Sequence, residues 1–234
     1  MFDFVERIRE RLAQRGVLWA LRAAAQRMRR ILSLMHWRQR HYERRFDAER
    51  AIDTAGTVIL DRLSITSANR KYGISYSAVD PRHFYLYIDE LIDLGLHLED
   101  FSFIDFGAGK GRALILASEF PFRRVIGVEF AEELCTIARR NIAISNTSSR
   151  SNEVSIICQD AADFVLPDEP LVLFFYNPFG VEVMRHILDK VRNGGHPVYL
   201  LVIGEALQAF VHEAGFRTIP RPMLERRKAQ LSTL

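Results

Sequence analysis

From Phe101 onward, short unbroken apolar runs alternate with stretches whose apolar residues recur every three or four positions. The runs predict strands at Phe101–Phe106, Arg124–Phe130, Val154–Cys158, Leu171–Tyr176 and Val198–Ile203. Between them the helical period predicts helices at Gly111–Glu119, Ala131–Ser145, Val181–Val191 and Glu205–Ala214, the last stopped by Gly215. Residues from Phe216 on leave room for one or two final strands. Strands rich in Val, Ile, Leu and Phe without polar alternation are covered on both faces, which means a parallel sheet between helix layers. The fold class is α/β: a doubly wound, mostly parallel, seven-stranded-type sheet with an N-terminal basic helical extension.

The extension has its own pattern. From Phe2 to about Asp47 there is no proline and a single glycine, Gly16. Leu18, Leu21, Ala25, Met28, Leu32 and Met35 follow a heptad-like seam, and Phe4, Ile8 and Leu12 form a separate stripe before Gly16. The segment 47–80, with Gly56, Asn69, Gly73 and several Ser and Thr, reads as a linker. After Pro81 the apolar positions from His83 to Leu94 predict a helix with Pro81 in its first turn. The expected organisation is residues 1–50 as the basic helical extension, 51–100 as a lead-in segment with its helix, and 101–234 as the core.

Charge sharpens this division. The net charge of +3 hides an excess of +7 over residues 1–50, where 13 arginines face 6 acidic residues, and the remaining chain is net acidic. A basic arm with an apolar seam suits a sister chain, its own core or an anionic surface, so residues 1–46 are the expected site of homo-oligomer contact or of binding to an anionic partner. Two cysteines make no disulfide framework, and no stretch reaches the roughly 18 apolar residues needed to cross a bilayer. A cytoplasmic protein is expected, with the arm as the means of any peripheral membrane attachment.

Candidate chemistry lies at the ends of the expected strands. The first ends in Ile104-Asp105-Phe106-Gly107-Ala108-Gly109-Lys110-Gly111, with a helix starting at once. Glycines there allow a sharp turn and close approach of a ligand to backbone N–H groups. A dinucleotide fingerprint would place its third glycine at position 112, which is Arg112. The second strand carries Glu129, about 20 positions after the glycine turn, where a carboxylate accepts hydrogen bonds from ribose hydroxyls. The third is followed by Asp160 and Ala161, a carboxylate and a backbone N–H suited to the edge of a purine.

With these residues in place, the stretch from about Ser102 to Gly215 resembles the core of class I, Rossmann-like S-adenosylmethionine (SAM)-dependent methyltransferases. The segment from Asp53 to Tyr76 is similar to the lead-in of an uncharacterised bacterial group of them. The resemblance implies SAM as cofactor, bound by Asp105, Gly107, Ala108, Gly109, Gly111, Glu129, Asp160 and Ala161. It implies a catalytic place at Asn177, Pro178 and Phe179, after the fourth strand. Many methyltransferases acting on amino or amide nitrogens carry Asn/Asp-Pro-Pro-aromatic there, and this chain departs from that pattern with Phe179 and Gly180.

The expected function is methyl transfer from SAM to an acceptor that the sequence does not identify, an amino or amide nitrogen of a protein being the first candidate. The alternatives are a non-catalytic SAM-binding scaffold, a nucleotide-dependent oxidoreductase and an aminopropyl transferase on the same fold. Arg112 argues against the oxidoreductase, and Asn177, where a carboxylate is usual, against the aminopropyl transferase. The seven histidines show no metal-ligand spacing and Cys135 and Cys158 read as packing residues, so no metal is expected. Tyr72 and Tyr76, in the lead-in, suit equally a role closing over the cofactor and a place on a surface loop.

Overall fold

The computed structural model describes Trp37 and residues 40–145, 150–151 and 153–216. The chain divides into two compact units, Met1–Phe46 and Asp47–Leu234. In the first, residues 40–46 are helical, and the Trp37 and His41 rings stack with centroids 5.5 Å apart. The seam from Leu18 to Met35 and the stripe of Phe4, Ile8 and Leu12 lie outside the described residues, as do the strands expected after Phe216.

The second unit is built on a five-stranded sheet. Its strands are β3 (Ser102–Phe106), β4 (Arg124–Glu129), β5 (Val154–Cys158), β6 (Leu171–Tyr176) and β7 (Val198–Ile203). They pair in the order β5-β4-β3-β6-β7, every pair parallel. The helices are α1 (Pro81–Asp93), α2 (Arg112–Ser118), α3 (Glu132–Ser145), α4 (Val181–Arg192) and α5 (Glu205–Glu213). All of these elements lie within two residues of their expected bounds. The architecture is the α/β sheet between helices that the apolar runs require, and β3 is buried along its whole length.

Packing explains why α1 forms where it does. Asp80 caps it by accepting from the Arg82 N–H at 2.9 Å, and Pro81 sits in the first turn, where a missing N–H costs nothing. Its buried face is Phe84, Tyr87, Ile88 and Leu91. The Phe84 ring meets Phe103 of β3 and Phe174 of β6 edge-on, with centroids 5.8 and 5.5 Å away. On Phe106 of β3, Phe175 stacks at 5.2 Å. Each such side chain removed from water contributes about 1.5–3 kcal/mol.

The 47–80 segment is not a linker. It contains a two-stranded antiparallel ribbon, β1 (Thr57–Val58) with β2 (Tyr76–Ser77), and 3-10 turns at Leu60–Arg62 and Ala68–Tyr72. Its glycines and small polar residues serve tight turns and hydrogen bonds instead of slack, which is why composition alone misreads it. Among the described residues no helix is long and apolar enough to cross a membrane.

A cleft at the switch point of the sheet

β4 and β5 lie to one side of β3, and β6 and β7 to the other, so the chain reverses its direction of travel across the sheet between β3 and β6. Loops leaving the carboxyl ends of two such strands diverge and leave a crevice. Here a cleft of about 880 Å³, part of it open to solvent, occupies that place. Asp105, Gly107, Ala108, Glu129, Asp160, Ala161, Asn177, Pro178 and Phe179 all line it. Nine residues expected from four separate strand ends are thus brought to one cavity.

The turn after β3 is shaped by close packing. Gly107, with φ +75°, has no room for a Cβ, which would overlap the Pro178 ring; the β3 and β6 loops touch there. Gly109, with φ +55°, is covered by the ring of Tyr76, which would collide with any side chain. Gly111 packs on Ala138 of α3. Gly109 and Gly111 therefore shape the turn and are not among the residues that line the cleft.

Glu129, at the end of β4, is buried with 4% exposure. Its carboxylate accepts from the N–H of Gly109 and of Ala131, both at 2.9 Å. It therefore orients the glycine turn while facing the cleft. Asp105 is 3% exposed, and burial first and the nearby Glu129 charge second push its carboxyl up to about 8. Burial likewise raises Glu129, against the hydrogen bonds that favour its charged form. At neutral pH Asp105 thus carries its proton in the free protein.

Asp160 is held by the lead-in. One of its oxygens accepts from the Ser67 hydroxyl and from the Asn69 amide at 3.0 Å, and the other from the Ala162 N–H at 2.8 Å. About one of a carboxylate's four acceptor positions is left for a ligand. Ser67 and Asn69 were not legible as site residues, because nothing in local pattern links them to a strand end more than 90 positions away.

The lead-in is fastened at three further places. Asp47 accepts from the Arg112 guanidinium at 3.1 Å, from the Thr54 hydroxyl and N–H at 2.6 Å each, and from the Ala55 N–H at 2.6 Å. Arg112, 1% exposed, also donates to the Thr54 hydroxyl at 2.6 Å. Lys110 pairs with Asp53 at 2.8 Å, and Asn141 of α3 bonds the backbone of both Asp53 and Lys110. The arginine standing where a dinucleotide site would have glycine is therefore a buried tie to the lead-in. Tyr76 lines the cleft and donates its hydroxyl, held protonated by burial, to the Thr54 carbonyl at 2.6 Å. Tyr72 is tied at its backbone instead, where its carbonyl accepts from Gly180 at 2.9 Å.

At the end of β6, Asn177 takes the left-handed conformation, φ 48°, which asparagine tolerates better than most residues. Its N–H donates to the Ile203 carbonyl at 2.8 Å. Phe179 bridges to Gly73 of the lead-in and is 7% exposed, edge-on to Phe175 at 6.2 Å. Its ring is a core side chain with one surface on the cleft, not a free stacking platform.

No protein-family model matches the chain, and no curated protein matches it. Solved structures similar to it include a SAM-dependent methyltransferase from Clostridium acetobutylicum ATCC 824, at 15% identity and TM-score 0.35, covering 42% of this chain and 38% of that one. Another is the magnesium protoporphyrin IX methyltransferase of Synechocystis PCC 6803 with bound SAM, at 17% identity and TM-score 0.43, covering 60% and 70%. The precorrin-6y C5,15-methyltransferase of Geobacter metallireducens GS-15 is 17% identical with TM-score 0.45, covering 67% of this chain and 78% of its own.

Proposed function

We propose that the cleft binds SAM and that the protein transfers its methyl group to a nitrogen acceptor. The observation that carries this reading is the charge of the cleft. Two buried carboxyl groups, Asp105 and Glu129, flank the glycine turn. The one basic residue among the described lining residues, Arg112, is already paired with Asp47. A pyrophosphate would meet acidic groups with no cation to offset it. A cofactor bearing a sulfonium and an ammonium relieves the crowding of the two carboxyls and favours ionisation of Asp105.

The residues present fit such a ligand. Glu129, already anchored by backbone N–H groups, retains acceptor capacity for a ribose hydroxyl, and Asp160 retains one position for an exocyclic amine. Gly107 and Ala108 offer close backbone approach. When bound, SAM supplies an electrophilic methyl that leaves by in-line displacement, so alignment and exclusion of water are the protein's main tasks. No histidine, lysine or cysteine is among the described lining residues. That set suits an acceptor arriving as a neutral amine, which needs no general base, with the Asn177 side chain and the Pro178 carbonyl orienting it.

Equilibrium binding of SAM, decarboxylated SAM and NAD to the full chain tests the cofactor. SAM binding without NAD binding is expected, and NAD binding without SAM binding refutes the reading. Radiolabelled methyl transfer into fractionated lysate then identifies the acceptor. Label in base-stable protein fractions is expected; label confined to base-labile esters refutes the nitrogen acceptor. SAM binding with no transfer to any fraction leaves the scaffold alternative in its place.

A further inference from the structure

We propose that Glu132, Cys135 and Cys158 form a binding site for a soft divalent cation of the zinc class, separate from the cleft. None of the three lines the cleft, and none has a part in the reading above. Their spacing in sequence shows no ligand motif, because the fold assembles them from two elements. Glu132 and Cys135 lie one turn apart on the same face of α3. Cys158 is the last residue of β5, paired in register with Glu129, three residues before α3 begins.

The ligand atoms of the three side chains all lie within 4.8 Å of one another. A tetrahedral zinc ion, with sulfur at about 2.3 Å and oxygen at about 2.0–2.2 Å, sets its ligand atoms about 3.4–3.8 Å apart. Closure by small side-chain rotations is enough. The groups already lie close to one another, two of them on one face of α3 and the third at the adjoining end of β5.

Burial is graded in the order a metal site needs. Cys135 is fully buried, Cys158 half-buried and Glu132 exposed, so two sulfurs form the floor and a carboxylate guards the entry. Water fills the fourth position. On binding, both thiols lose their protons to solvent, and two thiolates with one carboxylate surround the dication. The net charge left is −1, and the Arg139 guanidinium, 2.7 Å from Glu132, offsets it. Paired thiolates select zinc, cadmium or cobalt over magnesium and calcium. Cys135 also donates to the Glu129 carbonyl oxygen at 3.3 Å, a bond that the bound ion would remove.

The test titrates the reduced full-length chain with Co2+ and reads sulfur-to-cobalt charge-transfer absorption. One ion per chain, displaced by Zn2+ but not by Mg2+, is expected. Cys135→Ser and Cys158→Ser should each abolish the absorption with the far-ultraviolet spectrum unchanged. Glu132→Gln, an exposed change that leaves the core intact, should weaken binding roughly tenfold or more, as even outer-shell changes do. Absence of the absorption in the reduced protein overturns the proposal. So does an absorption that survives either serine variant, or Co2+ binding indifferent to Glu132→Gln.

Discussion

Replacing Asp47 with alanine strikes the tie on which the cleft wall depends. The change removes the partner of a guanidinium that is 1% exposed and strips four donors of their acceptor: Arg112, the Thr54 hydroxyl and the N–H groups of Thr54 and Ala55. Removing one member of a buried ion pair costs about 3–5 kcal/mol, because the other charge stays behind uncompensated. In a unit of this size each kcal/mol moves the midpoint by roughly 2–4 °C, so a fall in Tm of roughly 6–20 °C is expected. Thermal and urea unfolding of Asp47→Ala, Arg112→Met and the double variant close a thermodynamic cycle. The double variant should be less destabilised than the two single losses summed, since it leaves no buried charge alone. If Asp47→Ala costs under about 1 kcal/mol, the magnitude of an exposed pair, the tie does not hold the lead-in and the reasoning fails.

Three further outcomes follow from the cleft. Asp105, with its carboxyl near 8 in the free protein, must lose its proton as a cationic cofactor binds; SAM affinity should therefore rise about tenfold per pH unit as pH climbs toward about 8 and level off above it. A flat profile in calorimetry, or one unchanged in Asp105→Asn, contradicts this. Glu129→Ala should weaken SAM binding by about 1–3 kcal/mol by losing charge-assisted hydrogen bonds and loosening the glycine turn; unchanged affinity in a folded variant removes Glu129 from the site. Gly109→Val should displace the Tyr76 ring as well as strain a residue at φ +55°, so its stability cost should shrink in a Tyr76→Ala background; equal costs in both backgrounds would show that the ring is not what limits the position.

The strands and helices of the sheet were legible because burial on both faces, or on one helical stripe, repeats with a period of its own. Asp105, Glu129 and Asp160 followed from that, since a polar residue closing an apolar run in a parallel sheet stands at the ligand-binding edge. The lead-in was not legible. Ser67, Asn69 and Asp47 act through side-chain contacts with residues far along the chain, and such contacts leave no period; Tyr76 of the same segment is already a candidate from the sequence. Phe179 shows a related limit: by sequence its ring suits a cleft wall or a core, and in the fold it does both, lining the cleft while meeting Phe175 edge-on. Cys135 and Cys158 read as separate packing residues until β5 and α3 set them side by side.

The bond between Asp47 and Arg112 spans 65 positions, and it runs from the beginning of the second unit to the first turn of α2. A ribosome releases Asp47 long before Arg112 exists. The segment that walls the cleft must therefore wait in water, its carboxylate hydrated, until β3 and the glycine turn have emerged and found their strand partners. Such long-range closure is slow compared with the local helices around it. The earliest residues of this unit to be made are thus the last to settle, and a nascent chain paused before position 112 holds a wall with no site to close.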